Sequence, residues 1–175
     1  MNLPNKLTLL RVILVPVYIA LYLTGHYIWA LIVFVAASFT DMLDGKIARK
    51  HNLVTNFGKI MDPLADKILV YSAFCLMIPQ YVAGWMLIVI LAREFTVSGM
   101  RTVAASEGIV IAAGMSGKIK TVLQMIAVPV IMLGQALPSL PIIGKIGYIV
   151  FVASLVMTVY SGAEYIIKNK EVFSM

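Results

Sequence analysis

Residues 28–49, with the sequence IWALIVFVAASFTDMLDGKIAR, decide the fold of this chain. The stretch begins with an uninterrupted apolar run and ends with Asp41, Asp44 and two basic residues. A helix crosses a bilayer with about 20 mostly apolar residues, so the stretch predicts a membrane helix whose last turns carry charge. Ionised groups inside a span cost about 2.5–3.5 kcal/mol on insertion scales, and they usually face a cavity or a partner. The sequence therefore predicts a functional site at one end of a membrane helix.

The composition of the whole chain also favours lipid as its solvent. Of its 175 residues, 61% are hydrophobic and 13% are charged, and the mean hydropathy is +0.96. Soluble domains contain about 45–50% apolar and about 25% charged residues. We therefore predict an all-α, polytopic membrane protein, with a single domain over residues 1–175. The lone Cys75 excludes an internal disulfide framework and a cysteine-based zinc site.

Six apolar segments are predicted to be transmembrane helices, at about 6–24, 28–49, 62–79, 82–106, 115–134 and 142–167. Of the 14 Lys and Arg residues, all but Lys145 fall on the same side of the predicted membrane bundle as the N-terminus. Because positive residues mark the cytoplasmic side, both termini are expected in the cytoplasm. The net charge of +6 is dispersed along segment edges and forms no basic arm, so no nucleic-acid partner is expected.

Two further residue classes predict how the helices are placed. Gly144 and Gly147 are expected to let two helices approach closely. An anchoring belt at the outer interface is expected from aromatic residues, namely Tyr18, Tyr22, Tyr27, Trp29, Tyr81 and Trp85.

Four aspartates stand at the adjoining ends of the second and third segments: Asp41, Asp44, Asp62 and Asp66. On a helix, positions 41, 44, 45 and 48 share one face, and positions 58, 62 and 66 share a face of the next helix if it begins early enough. Pro63 is tolerated best in a first turn, so the third segment is given from about 62 and its exact start is left open. Helices joined by a short link are antiparallel neighbours, so the two faces could oppose each other.

Carboxylates gathered in this way repel one another unless cations lie between them. Hard oxygen ligands without Cys or His favour Mg²⁺ or Mn²⁺, and two such ions could clamp a phosphoryl group and activate an attacking oxygen. As an alternative, the aspartates could pair with neighbouring Lys and Arg as helix-end charges. The small residues Gly45, Ala48 and Gly58 on the same faces leave room for a ligand and favour a site. A cation transporter would hold its carboxylates near the bilayer midplane, whereas these lie at one side.

The run D-x2-D-G-x2-A-R-x8-G-x3-D-x3-D from Asp41 to Asp66 resembles the signature of the CDP-alcohol phosphatidyltransferases. Softer patterns resemble the bacterial branch of that family that uses glycerol 3-phosphate: Asn5-x2-Thr8-x2-Arg11, the run 52–59 (NLVTNFGK), the run 62–67 (DPLADK), Arg93-Glu94-Phe95 and the run 117–121 (GKIKT). The resemblance implies a homodimeric cell-membrane enzyme whose active site faces the cytoplasm. It would transfer the phosphatidyl group of CDP-diacylglycerol to glycerol 3-phosphate by attack on the β-phosphorus, releasing CMP.

The resemblance also implies a role for each matching position. Asp41, Asp44, Asp62 and Asp66 would bind two divalent ions, Mg²⁺ or Mn²⁺, and Asp66 would also be the catalytic base. CDP-diacylglycerol would be bound by the small or polar positions Asn5, Thr8, Gly45, Ala48, Arg49 and Gly58.

The phosphate of glycerol 3-phosphate needs cations in addition to the metal ions. Arg93 and Arg101, eight residues apart in the fourth segment, share a helix face, and each offers a planar fork for phosphate oxygens. Lys118 and Lys120 lie at the start of the fifth segment, where a helix N-terminus favours an anion. The two lysines are about 200° apart around an ideal helix, so we expect only one of them to reach the site.

The same cationic residues are also compatible with simpler roles. The lysines could serve membrane orientation alone, and Arg93 could pair with Glu94 or Glu164. The acceptor alcohol could also be an inositol phosphate, serine or phosphatidylglycerol.

Overall fold

The computed structural model describes the backbone of residues 3–50, 56–112 and 114–170, and the side chains of residues 7–40, 61, 64–65, 67–112 and 114–170. These residues form helices and no strand, which confirms the all-α prediction for the described part of the chain. The helices are α1 (Leu3–Leu23), α2 (Tyr27–Lys50), α3 (Asn56–Leu76), α4 (Gly84–Ser106), α5 (Met115–Ala136) and α6 (Pro141–Lys168).

Two glycines end helices where the sequence shows turn signals. Gly25 follows α1 with φ +78° and Gly108 follows α4 with φ +76°, a conformation that costs glycine little because it has no Cβ. In each turn, the backbone N–H of the residue after the glycine donates to the carbonyl oxygen five residues earlier. His26 donates to Leu21 at 2.9 Å, and Ile109 donates to Ala104 at 2.8 Å. This hydrogen bond satisfies a carbonyl that the helix end would leave unpaired.

The third helix begins earlier than the sequence predicted. α3 starts at Asn56, so Pro63 lies within the helix and not in its first turn. Prolines also lie inside α1 and α5, at Pro16 and Pro129. Apolar surroundings tolerate such prolines because neighbouring groups satisfy the backbone atoms that the ring leaves unpaired. As a result, positions 58, 62 and 66 all lie on one continuous helix.

The hydrophobic core lies between the helices and is rich in aromatic side chains. Tyr18 packs against Phe34 with ring centroids 5.8 Å apart, and Phe74 packs against Phe151 at 5.1 Å. Tyr18 and Tyr22 are buried, so the prediction that they belong to an interfacial belt is wrong. Their hydroxyls find partners inside the protein: Tyr22 accepts a hydrogen bond from Gln135 at 2.7 Å, and Tyr18 donates to the Met132 sulfur at 3.8 Å.

The closest helix packing joins α5 and α6, at glycines of both helices. A Cβ built on Gly134 would lie 2.5 Å from the backbone nitrogen of Gly144, and one on Gly147 would lie 2.7 Å from the backbone nitrogen of Ile131. Neither backbone can yield without moving a whole helix. This geometry confirms that Gly144 and Gly147 allow close approach.

The outer surface of the bundle is apolar. Large side chains on several helices are at least half exposed, among them Ile13, Ile32, Ile88, Ile149 and Val156. Soluble proteins rarely expose contiguous apolar surface on this scale. Among the described residues, α5 and α6 are each long and apolar enough to cross a membrane, and α1, α2 and α3 contain shorter apolar stretches at Leu7–Leu23, Tyr27–Thr40 and Lys67–Leu76.

Replacing Gly134 with alanine should separate α5 from α6. Inserting a methyl group into a closed contact costs about 1–3 kcal/mol, so the Gly134→Ala protein should unfold at a lower temperature in detergent. Gly99→Ala is the matched control, because nothing lies within 4 Å of a Cβ at this position of α4. Its midpoint should stay level or rise, since alanine is favoured over glycine in helices by about 1 kcal/mol. Equal midpoints for the two variants would contradict the close contact.

Candidate active site

A cavity of about 680 Å³ opens among α3, α4, α5 and α6, at the end of the bundle where α4 and α6 end and α5 begins. Its walls carry six cationic side chains, Lys67, Arg93, Arg101, Lys118, Lys120 and Lys168. They also carry two carboxylates, Glu94 and Glu164. Among the described residues, the lining therefore has four positive charges in excess, which is suited to an anionic ligand with more than one negative charge.

Glu94 lies at the centre of the cationic side chains. Its carboxylate accepts a hydrogen bond from Arg93 Nη1 at 2.7 Å and another from the Lys120 ammonium, and Lys67 Nζ lies 3.6 Å away. Lys67 also donates to Ser98 Oγ at 2.9 Å. The Glu94 side chain is only 10% exposed and that of Lys120 only 4%. Charges so poorly hydrated are stable only when paired and hydrogen-bonded, so this cluster holds α3, α4 and α5 in a fixed relation.

Arg93 occupies a space that two glycines leave open. A Cβ on Gly162 of α6 would lie 2.8 Å from Arg93 Cγ, and one on Gly117 of α5 would lie 3.3 Å from Arg93 Nη2. The Nε of Arg93 is buried and has no hydrogen-bond partner among the described residues. Arg93 thus combines a fixed ion pair to Glu94 with donor capacity that remains unused.

Arg101 is held differently, by an aromatic side chain of α6. Its Nε donates to Tyr165 Oη at 3.2 Å, and its guanidinium carbon lies 5.4 Å from the centre of the Tyr165 ring. Tyr165 packs in a small second core with Val97 and Met100. This packing supports the arginine while its remaining donors stay accessible from the cavity.

The second carboxylate of the cavity belongs to α6. Glu164 accepts hydrogen bonds from Ser116 Oγ, at the start of α5, and from Lys168 Nζ at 2.6 Å. Lys168 is 70% exposed, so this ion pair is hydrated and contributes little stability.

All four residues predicted to bind the acceptor phosphate line this one cavity: Arg93, Arg101, Lys118 and Lys120. The sequence interpretation named Glu94 only as a possible partner of Arg93, and it missed Lys67 and Glu164 as part of the same cavity. The available signal was Glu94 itself, since an acid inside an apolar segment requires a partner.

The four aspartates occupy two helices that contact each other. Asp41 and Asp44 lie near the end of α2, and Asp62 and Asp66 lie in the first half of α3. Their side chains lie outside the described residues, as do those of Asn5, Arg49 and the predicted small positions Gly45, Ala48 and Gly58. The described residues alone contain no cluster of three or more His, Cys, Asp or Glu. Asp66 directly precedes Lys67 of the cavity wall, so α3 links the aspartates to the cationic cavity.

The donor set at the aspartates fits the metal ions that the sequence analysis predicts. It offers carboxylate oxygens and neither thiol nor imidazole, which is the preference of Mg²⁺ and Mn²⁺. The four positions are spaced by three and four residues on their helices, so each pair shares a helix face.

Polar residues of α1 enter the bundle near these aspartates. Thr8 and Arg11 are almost fully buried, and Arg11 Nε donates to the carbonyl oxygen of Ala37 at 3.3 Å. Ala37 lies one turn before Asp41 in α2. Thr8, which is predicted to bind CDP-diacylglycerol, lies one turn before Arg11 in α1. It is therefore close to the part of α2 that precedes Asp41.

Comparison with known proteins identifies the family of this chain. The sequence profile of the CDP-alcohol phosphatidyltransferase family matches residues 1–160. A protein of Bacillus subtilis named CDP-diacylglycerol–glycerol-3-phosphate 3-phosphatidyltransferase is 42% identical over 186 residues, which cover 97% of this chain and 96% of that protein. Proteins with the same name from Rickettsia felis and Shigella flexneri are 38% and 33% identical, covering 98% and 94% of this chain and 97% and 93% of their own lengths. The chain belongs to the CDP-alcohol phosphatidyltransferase family.

Proposed function

We propose that this protein transfers the phosphatidyl group of CDP-diacylglycerol to glycerol 3-phosphate, giving phosphatidylglycerophosphate and CMP. The observation that carries the proposal is the cavity whose described residues have four positive charges in excess, and which Lys67 lines directly after the position of Asp66 on α3. A phosphate monoester dianion matches that charge, whereas serine carries no net charge. The relatives described above bear the name of this same activity.

The aspartates form the reaction centre of the proposed enzyme. Asp41, Asp44, Asp62 and Asp66 would hold two divalent ions, and these would supply the positive charge that neutralises the pyrophosphate during transfer. Asp66 accepts the proton of the acceptor hydroxyl. The hydroxyl oxygen then forms a bond to the β-phosphorus of CDP-diacylglycerol, and the bond from that phosphorus to the bridging oxygen breaks and releases CMP.

The remaining predicted residues orient the two substrates. Asn5, Thr8, Gly45, Ala48, Arg49 and Gly58 bind the CDP group, where the small residues let it approach the helix backbones. The cationic cavity binds the acceptor phosphate and thereby holds the acceptor hydroxyl in one place. Positioning of the reactants and stabilisation of charge are the main contributions of a protein to phosphoryl transfer.

The proposed enzyme is a single membrane domain over residues 1–175. Its six helices span the bilayer, with both termini and the active site on the cytoplasmic side of a bacterial cell membrane, and two copies form a homodimer. The apolar exterior and the placement of thirteen of the 14 Lys and Arg residues at one end support this arrangement.

The acceptor is tested directly with purified protein in detergent. CDP-diacylglycerol labelled in its cytidine is incubated with glycerol 3-phosphate, an inositol phosphate, serine or phosphatidylglycerol, and CMP release is measured for each. Glycerol 3-phosphate should give the fastest release, because its small dianion fits a cationic cavity of about 680 Å³. Faster turnover with another acceptor would refute glycerol 3-phosphate as the acceptor, but it would still show that the protein is a phosphatidyltransferase.

Turnover should depend on a divalent ion held by the aspartates. EDTA should abolish CMP release, and Mg²⁺ or Mn²⁺ should restore it. In Asp66→Asn protein neither ion should restore turnover, because the missing base is worth about 10²–10⁴-fold in rate. The Asp66→Asn protein should still elute as folded protein in detergent. Full activity after exhaustive chelation would exclude the metal-dependent reaction.

Arg101 should contribute to the KM for glycerol 3-phosphate and not to the KM for CDP-diacylglycerol. A charge-assisted hydrogen bond is worth about 1.5–3 kcal/mol, so Arg101→Ala should lower kcat/KM for the acceptor by about 10- to 150-fold. Arg101→Lys should recover only part of this loss, since an ammonium group lacks the bidentate fork. The control is Lys145→Ala, because Lys145 lines a separate cavity beside Tyr81 and Tyr148. If Arg101→Ala leaves both KM values within about twofold of wild type, Arg101 does not bind the phosphate.

A further inference from the structure

The cations of the cavity differ in their carboxylate partners, and the exposed Lys168 pairs with Glu164. Lys67, Arg93 and Lys120 all contact the carboxylate of Glu94. Arg101 and Lys118 line the same cavity, but no carboxylate among the described residues lies within 4.0 Å of either. Their charge is therefore the part that an incoming anion can neutralise.

Burial separates the two lysines of α5 in the same way. Lys120 is 3% exposed, whereas Lys118 is exposed to solvent. Lys67, Glu94 and Lys120 also line a second, smaller cavity of about 70 Å³, which Arg101 and Lys118 do not reach. The Glu94 cluster thus forms the inner wall, and Arg101 and Lys118 lie on the accessible side.

The inner cluster ties α4 to α3 and α5 at this end of the bundle. On the cavity side, Glu94 of α4 pairs with Lys67 of α3 and with Lys120 of α5. Ser98 of α4 also accepts a hydrogen bond from Lys67. The same helix carries Arg93 and Arg101. A change at Glu94 would therefore shift both arginines relative to Lys118.

We propose that Glu94 and Lys120 are positioning residues that fix α4 against α3 and α5, and that Lys118, together with Arg101, binds the acceptor phosphate. This inference rests on the proposed function, because it assigns residues within the acceptor site. It decides between the two lysines at the start of α5 in favour of Lys118.

The matched variants Lys118→Met and Lys120→Met separate the two roles. For Lys118→Met, we expect the KM for glycerol 3-phosphate to rise by about 10- to 150-fold while the unfolding midpoint without ligand is unchanged, because an exposed lysine with no ion pair contributes little stability. For Lys120→Met, we expect a lower midpoint, because a buried ion pair is lost, and a smaller rise in this KM than for Lys118→Met, because Arg93 and Lys67 still pair with Glu94.

Glu94→Gln tests the positioning role with nearly unchanged side-chain shape. It leaves three cations at the inner wall without a carboxylate, so both the unfolding midpoint and the affinity for the acceptor should fall. We expect the KM for glycerol 3-phosphate to rise by about tenfold or more, with kcat and the KM for CDP-diacylglycerol within about threefold of wild type. Glu94→Asp retains the charge and should recover a large part of the loss.

Three outcomes decide the inference. It is overturned if Lys120→Met raises the KM for glycerol 3-phosphate as much as Lys118→Met does, or if Glu94→Gln leaves this KM within about threefold of wild type. If the methionine variant of Lys120 cannot be purified, Lys120→Arg keeps the ion pair and should keep this KM within about threefold of wild type, and a tenfold rise would overturn the inference. Failure of wild-type protein to use glycerol 3-phosphate would instead refute the proposed function.

Discussion

The ion pairs of Glu94 are the interaction on which the rest of the site depends. An apolar bundle offers little hydration, so a buried carboxylate and a buried ammonium are each costly alone and acceptable only together. Glu94 meets this constraint with partners from its own helix and from two others, Arg93, Lys120 and Lys67. Because these partners come from α3, α4 and α5, satisfying the charge of one residue also fixes three helices around the cavity.

The surrounding helices give this cluster a rigid support. Glycines let α5 and α6 pack backbone against backbone at Gly134, Gly144 and Gly147. Side chains at these positions would separate the two helices that carry Lys120 and Tyr165. Close packing of this kind relies on van der Waals contact, because lipid provides no hydrophobic driving force between helices. These contacts lie at the end of α5 and the start of α6, so they hold the two helices together at one end while the polar cavity opens at the other.

The sequence predicted most of the fold because apolar segments and glycine turns are local signals. Helix α3 begins before the predicted segment. The prediction weighed Pro63 by the stability that a proline costs inside the helix of a soluble protein, where nothing replaces the lost hydrogen bond. Tyr18 and Tyr22 were assigned to an interface from their position along the chain, whereas tertiary hydrogen bonds with Met132 and Gln135 hold them in the core.

The acceptor cavity shows the same division between local and tertiary information. Helical spacing brought Arg93 and Arg101 to one face, and the structure places both in one cavity. Spacing alone did not distinguish Lys118 from Lys120, because the difference arises from Glu94 on another helix.

The distribution of charge along α3 gives the proposed reaction a direction. Asp62 and Asp66 lie one turn apart on the helix, and Lys67 begins the cationic cavity directly after Asp66. Glycerol 3-phosphate carries its charge at one end and its reactive hydroxyl at the other. With the phosphate bound among the cations, the hydroxyl end would be left toward Asp66, the proposed base, which directly precedes Lys67 on α3. A cationic cavity next to the proposed base would thus orient a small acceptor through its phosphate, before any contact is made with its carbon chain.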